Sequence, residues 1–172
     1  CVAYDIPLIS GKDSMKNDYR IGDTKISIPP TVLFTAAAII EDVTQCISMD
    51  VKRPGDIAFL LGETRDELGG SEYLSLIGET GGTPPRVAPT AARARYTALA
   101  GAIAAGEVAS CHDCSDGGLG VALAETAFAG GYGLDVDLSA LDGLTNEAAL
   151  FSESASRLVA TVRPHLADAF AA

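Results

Sequence analysis

The chain has 172 residues, with 23 acidic side chains against 12 basic ones and a formal net charge of −11. A field of that sign repels nucleic acids and anionic membrane surfaces, so we expect neither as a partner. Four cysteines in an otherwise ordinary globular composition predict reduced thiols and a cytoplasmic location, and no apolar run reaches the roughly 18 residues that a membrane span needs.

The first forty residues predict two strands with a linker between them. Apolar residues 6–10 indicate a short strand that runs into a polar turn, and the segment 21–30, which contains Gly22 and two prolines, is typical of a linker. Residues 31–42 are β-branched and aromatic at their start and apolar on both faces, which predicts a central strand buried on both sides. We therefore expect a domain boundary in the linker.

The middle of the chain predicts a strand followed by two helices. The strand covers Asp56 to Leu61, and a short helix covers Ser71 to Ile77 inside a segment rich in glycine and proline. Residues 90–106 predict an amphipathic helix whose apolar stripe has the spacing i, i+3, i+4 and i+7 and consists of Tyr96, Leu99, Ala100 and Ile103.

The last third of the chain alternates strands and helices. Residues 107–113 predict a strand, and the next helix has Ser115 or Asp116 as its N-cap and Gly130 or Gly131 as its stop. Period-two alternation over 132–141 predicts a half-exposed strand, and a helical turn then leads to a last strand over Arg157 to Val162. This order predicts an α+β fold, a mixed β-sheet covered by helices.

The stretch SCHDCSDGGLGVALAE, residues 110–125, contains the most reactive side chains of the chain. A zinc site would need four ligands, but only Cys111 and Cys114 form a close pair. Neighbouring residues of a strand point to opposite faces, so Cys111 and His112 cannot act as a nucleophile and its base. We therefore expect both cysteines to be packing residues.

The same stretch places an acidic residue, a hydroxyl and a glycine pair where a strand leads into a helix. Asp113 is a candidate Mg²⁺ ligand, and Ser115 is a candidate hydrogen-bond donor to a phosphate. Gly117 with Gly118 would let a phosphate approach the first helical amides. The competing interpretation is an ordinary capped helix.

A second polar segment, GKDSMKND, covers residues 11–18 after the first predicted strand. Gly11 permits a tight turn, Lys12 is a cation, Asp13 is a candidate Mg²⁺ ligand and Ser14 is a hydrogen-bond donor. The spacing is not that of a Walker loop. On its own the segment is equally well explained as a solvated turn.

Four motifs in this order, GKDSMKND, DELGGSEY, SCHDCSDGGLGVALAE and LFSESASR, closely resemble the C-terminal part of phosphoribosylformylglycinamidine synthases. These are the ATP-dependent amidine-forming ligases of purine biosynthesis, relatives of aminoimidazole ribonucleotide synthetase. The resemblance covers nearly the whole chain but a minor part of such an enzyme. It implies that residues 1–25 are the tail of an ATP-binding domain and that residues 26–172 are an α+β domain lacking its final portion.

The resemblance also implies roles for individual residues. Gly11 and Ser115 correspond to positions that contact ATP, and Ser14 corresponds to a position that contacts formylglycinamide ribonucleotide, the substrate. Asp113 corresponds to a magnesium ligand, whereas smaller members of the family carry asparagine at the position of Lys12, so that Asp13 becomes the substitute candidate. The catalytic histidine and the glutaminase that supplies ammonia lie outside these residues, so we expect the fragment alone to be inactive.

Two other interpretations remain open. In the first, the resemblance implies an internally duplicated enzyme, and this half of it holds a nucleotide permanently as a structural element. In the second, the chain belongs to another enzyme of the superfamily, such as aminoimidazole ribonucleotide synthetase, selenophosphate synthetase or thiamine monophosphate kinase. The chain starts with Cys1 and stops inside a helical pattern, which predicts a piece of a longer chain. A domain separated from its neighbours would expose apolar surface, so we also expect self-association.

Overall fold

A computed structural model describes residues 1–12, 18–27, 29 and 31–172. The chain divides into two compact units, Cys1–Val43 and Thr44–Ala172. The boundary predicted near residue 25 concerns the parent domains and stays a prediction.

The first unit contains a β-hairpin where a linker was predicted. Strand β1, Asp18–Ile21, pairs antiparallel with strand β2, Thr24–Ser27, and Ile21 faces Thr24 across a two-residue loop. Gly22 in that loop has φ +58°, a conformation that glycine adopts at little cost. The Gly22-Asp23 pair is itself a hairpin signal, which the linker interpretation overlooked.

The two strands predicted in this unit are wrong. Residues 6–10 and 31–42 form no strand, and their apolar side chains lie exposed: Leu33 is 90% and Ile39 is 95% accessible. A strand exists only where its backbone groups pair with a neighbour. The apolar pattern therefore identified residues suited to burial, but it carried no information on a pairing partner.

The second unit is built on a three-stranded antiparallel sheet. Its strands are β3, Ile57–Leu61, β4, Val108–Asp113, and β5, Leu158–Val162, in the spatial order β3-β5-β4. All three were predicted within two residues. The central strand β5 is the most buried, with Ala160 and Val162 inaccessible to solvent. The α+β fold class is confirmed, and every strand pair among the described residues is antiparallel.

Five α-helices accompany this sheet. They are α1, Glu72–Ile77, α2, Pro89–Ala104, α3, Gly118–Gly130, α4, Asn146–Phe151, and α5, Ala167–Ala171. Helices α1 and α4 begin at hydroxyl N-caps, since Ser71 Oγ accepts the Leu74 N–H and Thr145 Oγ1 accepts the Ala148 N–H. Gly131, in the left-handed conformation, ends α3 as predicted.

Three local predictions in this unit are wrong. Helix α3 begins at Gly118 after Gly117, so neither Ser115 nor Asp116 is its N-cap. Residues 132–141 form no strand, because residues 132–138 pair with no neighbouring strand and Ser139–Leu141 form a turn of 3-10 helix, although Leu138 and Leu141 pack against the core. Helix α2 buries Leu99 as predicted and half-buries Ile103, but Tyr96 and Ala100 lie exposed while Ala92 is buried and Arg95 half-buried.

The core consists of two clusters on the faces of the sheet strands. One joins Cys114, Leu119, Ala122 and Val159, and the other joins Leu99, Val108 and Ala160. Both clusters include β5, which explains why this strand is the most buried. Among the described residues, no helix has the length and apolarity that crossing a membrane requires.

Candidate functional site

The loop from Ser152 to Arg157, between α4 and β5, is the centre of a buried polar cluster. Ser152 and Ser154 are inaccessible to solvent, and their hydroxyls accept the backbone N–H groups of Glu67 at 3.1 Å and of Arg65 at 3.0 Å. A buried hydroxyl is stable only when it is hydrogen-bonded, and here each one anchors the distant loop that follows β3. We call Glu67, Ser152, Ser154 and Arg157 the polar cluster.

Arg157 holds this cluster together through its guanidinium. Its side chain is almost wholly buried and donates through Nε to the Ser154 carbonyl at 3.0 Å, through Nη1 to Thr64 Oγ1 at 2.9 Å, and through Nη2 to the Ser152 carbonyl. Burial lowers the pKa of Arg157, and the Cys114 thiol and the Glu67 carboxylate oppose that shift. An arginine remains protonated under such conditions, so Arg157 is a buried cation whose charge is attracted by the buried Glu67 carboxylate.

Glu153, next to the cluster, joins the beginnings of two helices. Its Oε1 atom accepts the Glu72 N–H, in the first turn of α1, and the Gly117 N–H, just before α3, each at 2.8 Å. A carboxylate at a helix N-terminus is favoured because unpaired amides and the helix dipole attract negative charge. The Glu153 carboxylate therefore accepts the hydrogen bond of the Gly117 N–H, next to the helical amides that were predicted to bind a phosphate.

The glycine pair at the start of α3 has a structural explanation. Gly117 and Gly118 have φ +78° and +65°, and a Cβ on Gly118 would lie 2.3 Å from the Ser152 carbonyl oxygen. The Gly118 N–H donates to the Ser115 carbonyl at 3.0 Å. The pair thus allows α3 to pack tightly against the end of α4 and the polar cluster.

Asp113, at the end of β4, presents its carboxylate to solvent. The Ser115 hydroxyl donates to Asp113 Oδ2, and this hydrogen bond is the main reason why the pKa of Asp113 lies below its ordinary value. The His112 ring lies between two carboxylates, with Nδ1 3.4 Å from Asp113 Oδ1 and Nε2 2.8 Å from Glu125 Oε2. An ionised carboxylate, Asp113, and a hydroxyl, Ser115, therefore lie next to each other. A site that binds a metal ion together with a phosphate requires such groups.

The predicted site residues are brought together only in part. Asp113, Ser115, Gly117 and Gly118 lie within one short turn, whereas Gly11 belongs to the first unit and Asp13 and Ser14 fall outside the described residues. No three His, Cys, Asp or Glu side chains of the described part of the chain are grouped to hold a metal. Mg²⁺ takes few carboxylates when phosphates supply other ligands, so Asp113 fits as one ligand of such an ion.

The residues with the densest polar contacts were not predicted as site residues. Glu67, Glu153 and Arg157 lie within DELGGSEY and LFSESASR, two motifs that supported only the family resemblance. For Glu153 and Arg157, the signal is the run of polar side chains directly before the apolar strand β5. A buried strand preceded by Ser, Glu, Ser and Arg requires internal partners for those groups.

The cysteines give a test of burial. Desolvation raises the pKa of Cys114 to about 11 and also raises that of Cys111, whereas Cys46 is exposed. We expect iodoacetamide at pH 8 to label Cys46 at least about a hundredfold faster than Cys114, because only the thiolate reacts and the buried thiol stays protonated. Mass spectrometry of tryptic peptides measures both rates in one sample. Equal rates would contradict the packing role, and labelling in denaturant controls for intrinsic reactivity.

Comparison with family models matches residues 53–172 to the C-terminal domain of AIR synthase related proteins. Among curated relatives, the chain is 43% identical over 166 residues to the phosphoribosylformylglycinamidine synthase subunit PurL of Thermobifida fusca, and 39% identical over 165 residues to that of Alkaliphilus metalliredigens. Each match covers 95% of the chain but only 21% and 22% of the relative. The chain thus spans about a fifth of the length of these relatives.

Solved structures show the same fold. The chain aligns with Thermotoga maritima PurL complexed with FGAR at a TM-score of 0.59 and 18% identity, over 74% of the chain and 23% of that structure. The complex of the same protein with ATP aligns at a TM-score of 0.53, over 74% of the chain and 20% of that structure. At this identity the likeness supports the α+β fold and says nothing about individual site residues.

Proposed function

Because the chain belongs to the family of AIR synthase related proteins, whose C-terminal domain it carries over residues 53–172, we propose that it is part of a phosphoribosylformylglycinamidine synthase. Such an enzyme uses ATP and ammonia from glutamine to convert formylglycinamide ribonucleotide into its amidine, with ADP and phosphate as products. The observation that carries the proposal is the identity of 36 to 43% with curated PurL subunits along nearly the whole chain.

The ligands named for the structural relatives support the same reaction. Thermotoga maritima PurL has been solved with ATP, with ADP and with FGAR. Since the chain spans about a fifth of its curated relatives, we propose that it works only together with the rest of such an enzyme. A glutaminase domain or subunit is its proposed ammonia source, and the cytoplasm is its proposed location.

The chain's own contribution lies at the turn that joins β4 to α3. Phosphoryl transfer depends mainly on positioning and on neutralising phosphate charge, and a bound Mg²⁺ supplies that neutralisation. Asp113 offers an exposed carboxylate as a ligand for the ion, and Ser115, by donating to it, orients the carboxylate and favours its ionised form. The polar cluster holds the start of α3 in place behind them.

One observation favours a second role for this turn. The N–H groups of Gly117 and Gly118 are already bonded to Glu153 and to the Ser115 carbonyl, so the start of α3 has its first donors satisfied inside the protein. In this alternative, Asp113 and Ser115 support folding or a permanently bound nucleotide, and turnover occurs elsewhere in the enzyme.

Replacement of Asp113 by asparagine separates the two roles. If the turn takes part in catalysis, we expect Asp113→Asn to lower kcat/KM of the intact ligase by at least about tenfold, as loss of a metal-shell carboxylate does, with little change in Tm. The assay follows ADP release with ATP, formylglycinamide ribonucleotide and glutamine. The neighbouring exposed Asp116 provides the matched control, Asp116→Asn. An unchanged kcat/KM with a lowered Tm would contradict the catalytic role.

A further inference from the structure

Glu153 belongs neither to the turn at Asp113 nor to the polar cluster, but it bonds to the backbone of that turn. Its Oε1 atom accepts the N–H of Gly117, the N-cap residue of α3, from 36 positions away at 2.8 Å. In a capping box, the acceptor for the N-cap amide is the side chain of the third helical residue, which in α3 is Gly120. A glycine cannot serve, so Glu153 supplies that acceptor from another part of the chain.

The backbone that carries Glu153 is fixed on both sides. Its two neighbours, Ser152 and Ser154, are inaccessible to solvent, and their hydroxyls accept the N–H groups of Glu67 and Arg65. The Glu153 N–H itself donates to the Glu67 carbonyl at 3.4 Å. A side chain on such an anchored backbone has less freedom to lose, so the carboxylate is held in one place.

The loop between α4 and β5 also holds the turn at a second point. The Cys114 N–H donates to the Arg157 carbonyl at 3.0 Å, so the loop binds the turn at residue 114 and again at Gly117. Between these two points lies Ser115, whose hydroxyl donates to Asp113 Oδ2. The position of this hydroxyl, and through it the orientation of the carboxylate, therefore depends on both attachments.

The two attachments differ in kind. The bond of the Cys114 N–H continues the pairing of β4 with β5, in which Asp113 faces Leu158, so it lasts as long as the sheet does. The bond of the Gly117 N–H depends on one carboxylate. Glu153 is therefore the side chain that fixes the far end of the turn.

The same carboxylate oxygen also accepts the Glu72 N–H, in the first turn of α1, at 2.8 Å. This helix has a cap of its own, because Ser71 Oγ accepts the Leu74 N–H. Loss of Glu153 would leave that cap in place, whereas the start of α3 has no side-chain cap of its own. The turn depends more on Glu153 than α1 does.

We propose that Glu153 is a positioning residue for Asp113: by accepting the Gly117 amide it fixes the turn that carries Ser115, and so the direction in which the Asp113 carboxylate faces a Mg²⁺ ion. This rests on the proposed function, because it requires Asp113 to take part in the reaction. Groups that orient a metal ligand change metal affinity or activity about 10- to 100-fold when they are removed. Glu153 acts through the turn and is not itself a ligand.

Hydrogen exchange in the intact ligase, without Mg²⁺ or nucleotide, tests the positioning directly. We expect Glu153→Ala to speed exchange of the Gly117 amide by about tenfold or more, since that N–H loses its acceptor. Glu153→Gln keeps an accepting oxygen and should stay within about threefold. The Ala148 amide, bonded to Thr145 Oγ1, is the internal control, and mass spectrometry with electron-transfer fragmentation resolves each amide. Unchanged exchange at Gly117 in Glu153→Ala would overturn the proposal.

ADP release by the intact ligase tests the effect on the reaction. We expect Glu153→Ala to raise the Mg²⁺ concentration that gives half the maximal rate by about tenfold or more, and Glu153→Gln to leave it near that of the unchanged enzyme. Ser71→Ala, which removes a cap of α1 alone, is the matched control and should not alter it. Equal shifts in Glu153→Ala and Ser71→Ala, or in Glu153→Ala and Glu153→Gln, would overturn the positioning role.

The double variant Asp113→Asn with Glu153→Ala separates this proposal from the proposed function. If Glu153 acts through Asp113, the double variant should have the kcat/KM of Asp113→Asn alone within about threefold, because residues that act as a unit are not additive. Losses that multiply would overturn the positioning role and leave the proposed function intact. An unchanged kcat/KM in Asp113→Asn itself would overturn the proposed role of the turn, and the positioning role with it.

Discussion

Replacing Arg157 with methionine is expected to lower the free energy of unfolding by about 3–5 kcal/mol, because it removes the donor for three hydrogen-bond acceptors, and a buried acceptor left unpaired costs roughly 1–3 kcal/mol. The substitution removes the N–H groups that donate to Thr64 Oγ1 and to the Ser152 and Ser154 carbonyls. It also removes the cation that attracts the buried Glu67 carboxylate. Denaturation by urea, followed by circular dichroism, measures the loss as a lower midpoint at unchanged slope.

Two further variants test whether the loss comes from the buried position and charge of Arg157. Arg163 lies one residue beyond the end of the same strand and is exposed, so Arg163→Met should change stability by less than about 0.5 kcal/mol. Adding Glu67→Gln to Arg157→Met should recover part of the loss, because the uncompensated charge disappears. Strictly additive losses in the double variant would show that Glu67 and Arg157 do not interact.

Replacing Gly118 with alanine is the second change with a large expected effect. Its left-handed backbone costs any L-residue about 1–2 kcal/mol, and the new Cβ would lie 2.3 Å from the Ser152 carbonyl oxygen, which adds roughly 1–3 kcal/mol for a forced backbone shift. We therefore expect a total loss of about 2–5 kcal/mol in the free energy of unfolding. Urea denaturation measures it.

Gly131, at the other end of α3, is the matched control for Gly118. It has φ +72°, close to the +65° of Gly118, but a Cβ there would meet nothing within 4 Å. Gly131→Ala should therefore lose only the conformational part, about 1–2 kcal/mol. The same loss in both variants would contradict tight packing of α3 on the polar cluster.

The elements that the sequence predicted well are those whose pattern and environment agree. Strand β5 is apolar and β-branched and lies in the core, and the apolar strand β3 and the apolar start of β4 pair with it, so composition and pairing indicate the same structure. Residues 31–42 have the same composition but no pairing partner in the described chain, and there the prediction failed. An apolar pattern identifies residues that are suited to burial. It does not identify the strand with which they would pair, which only the tertiary structure provides.

The candidate site divides in a similar way. Asp113 and Ser115 were found because a strand, an acidic residue, a hydroxyl and two glycines follow one another within a few positions. The polar cluster was missed because its hydrogen bonds connect residues far apart: 89 positions separate Arg65 from Ser154, and 85 separate Glu67 from Ser152. Contacts at that separation leave no periodic trace in a single sequence, and even the N-cap of α3 depends on one of them, through Glu153.

The central position of β5 has a consequence for the time at which this domain folds. Strands β3 and β4 pair with β5 and not with each other, and β5 is the last of the three to be synthesised. No part of this sheet can therefore form until β5 has been synthesised and has left the ribosome. Contacts between strands so far apart in the sequence form slowly, so this unit is expected to fold only once β5 is available rather than progressively from its N-terminus.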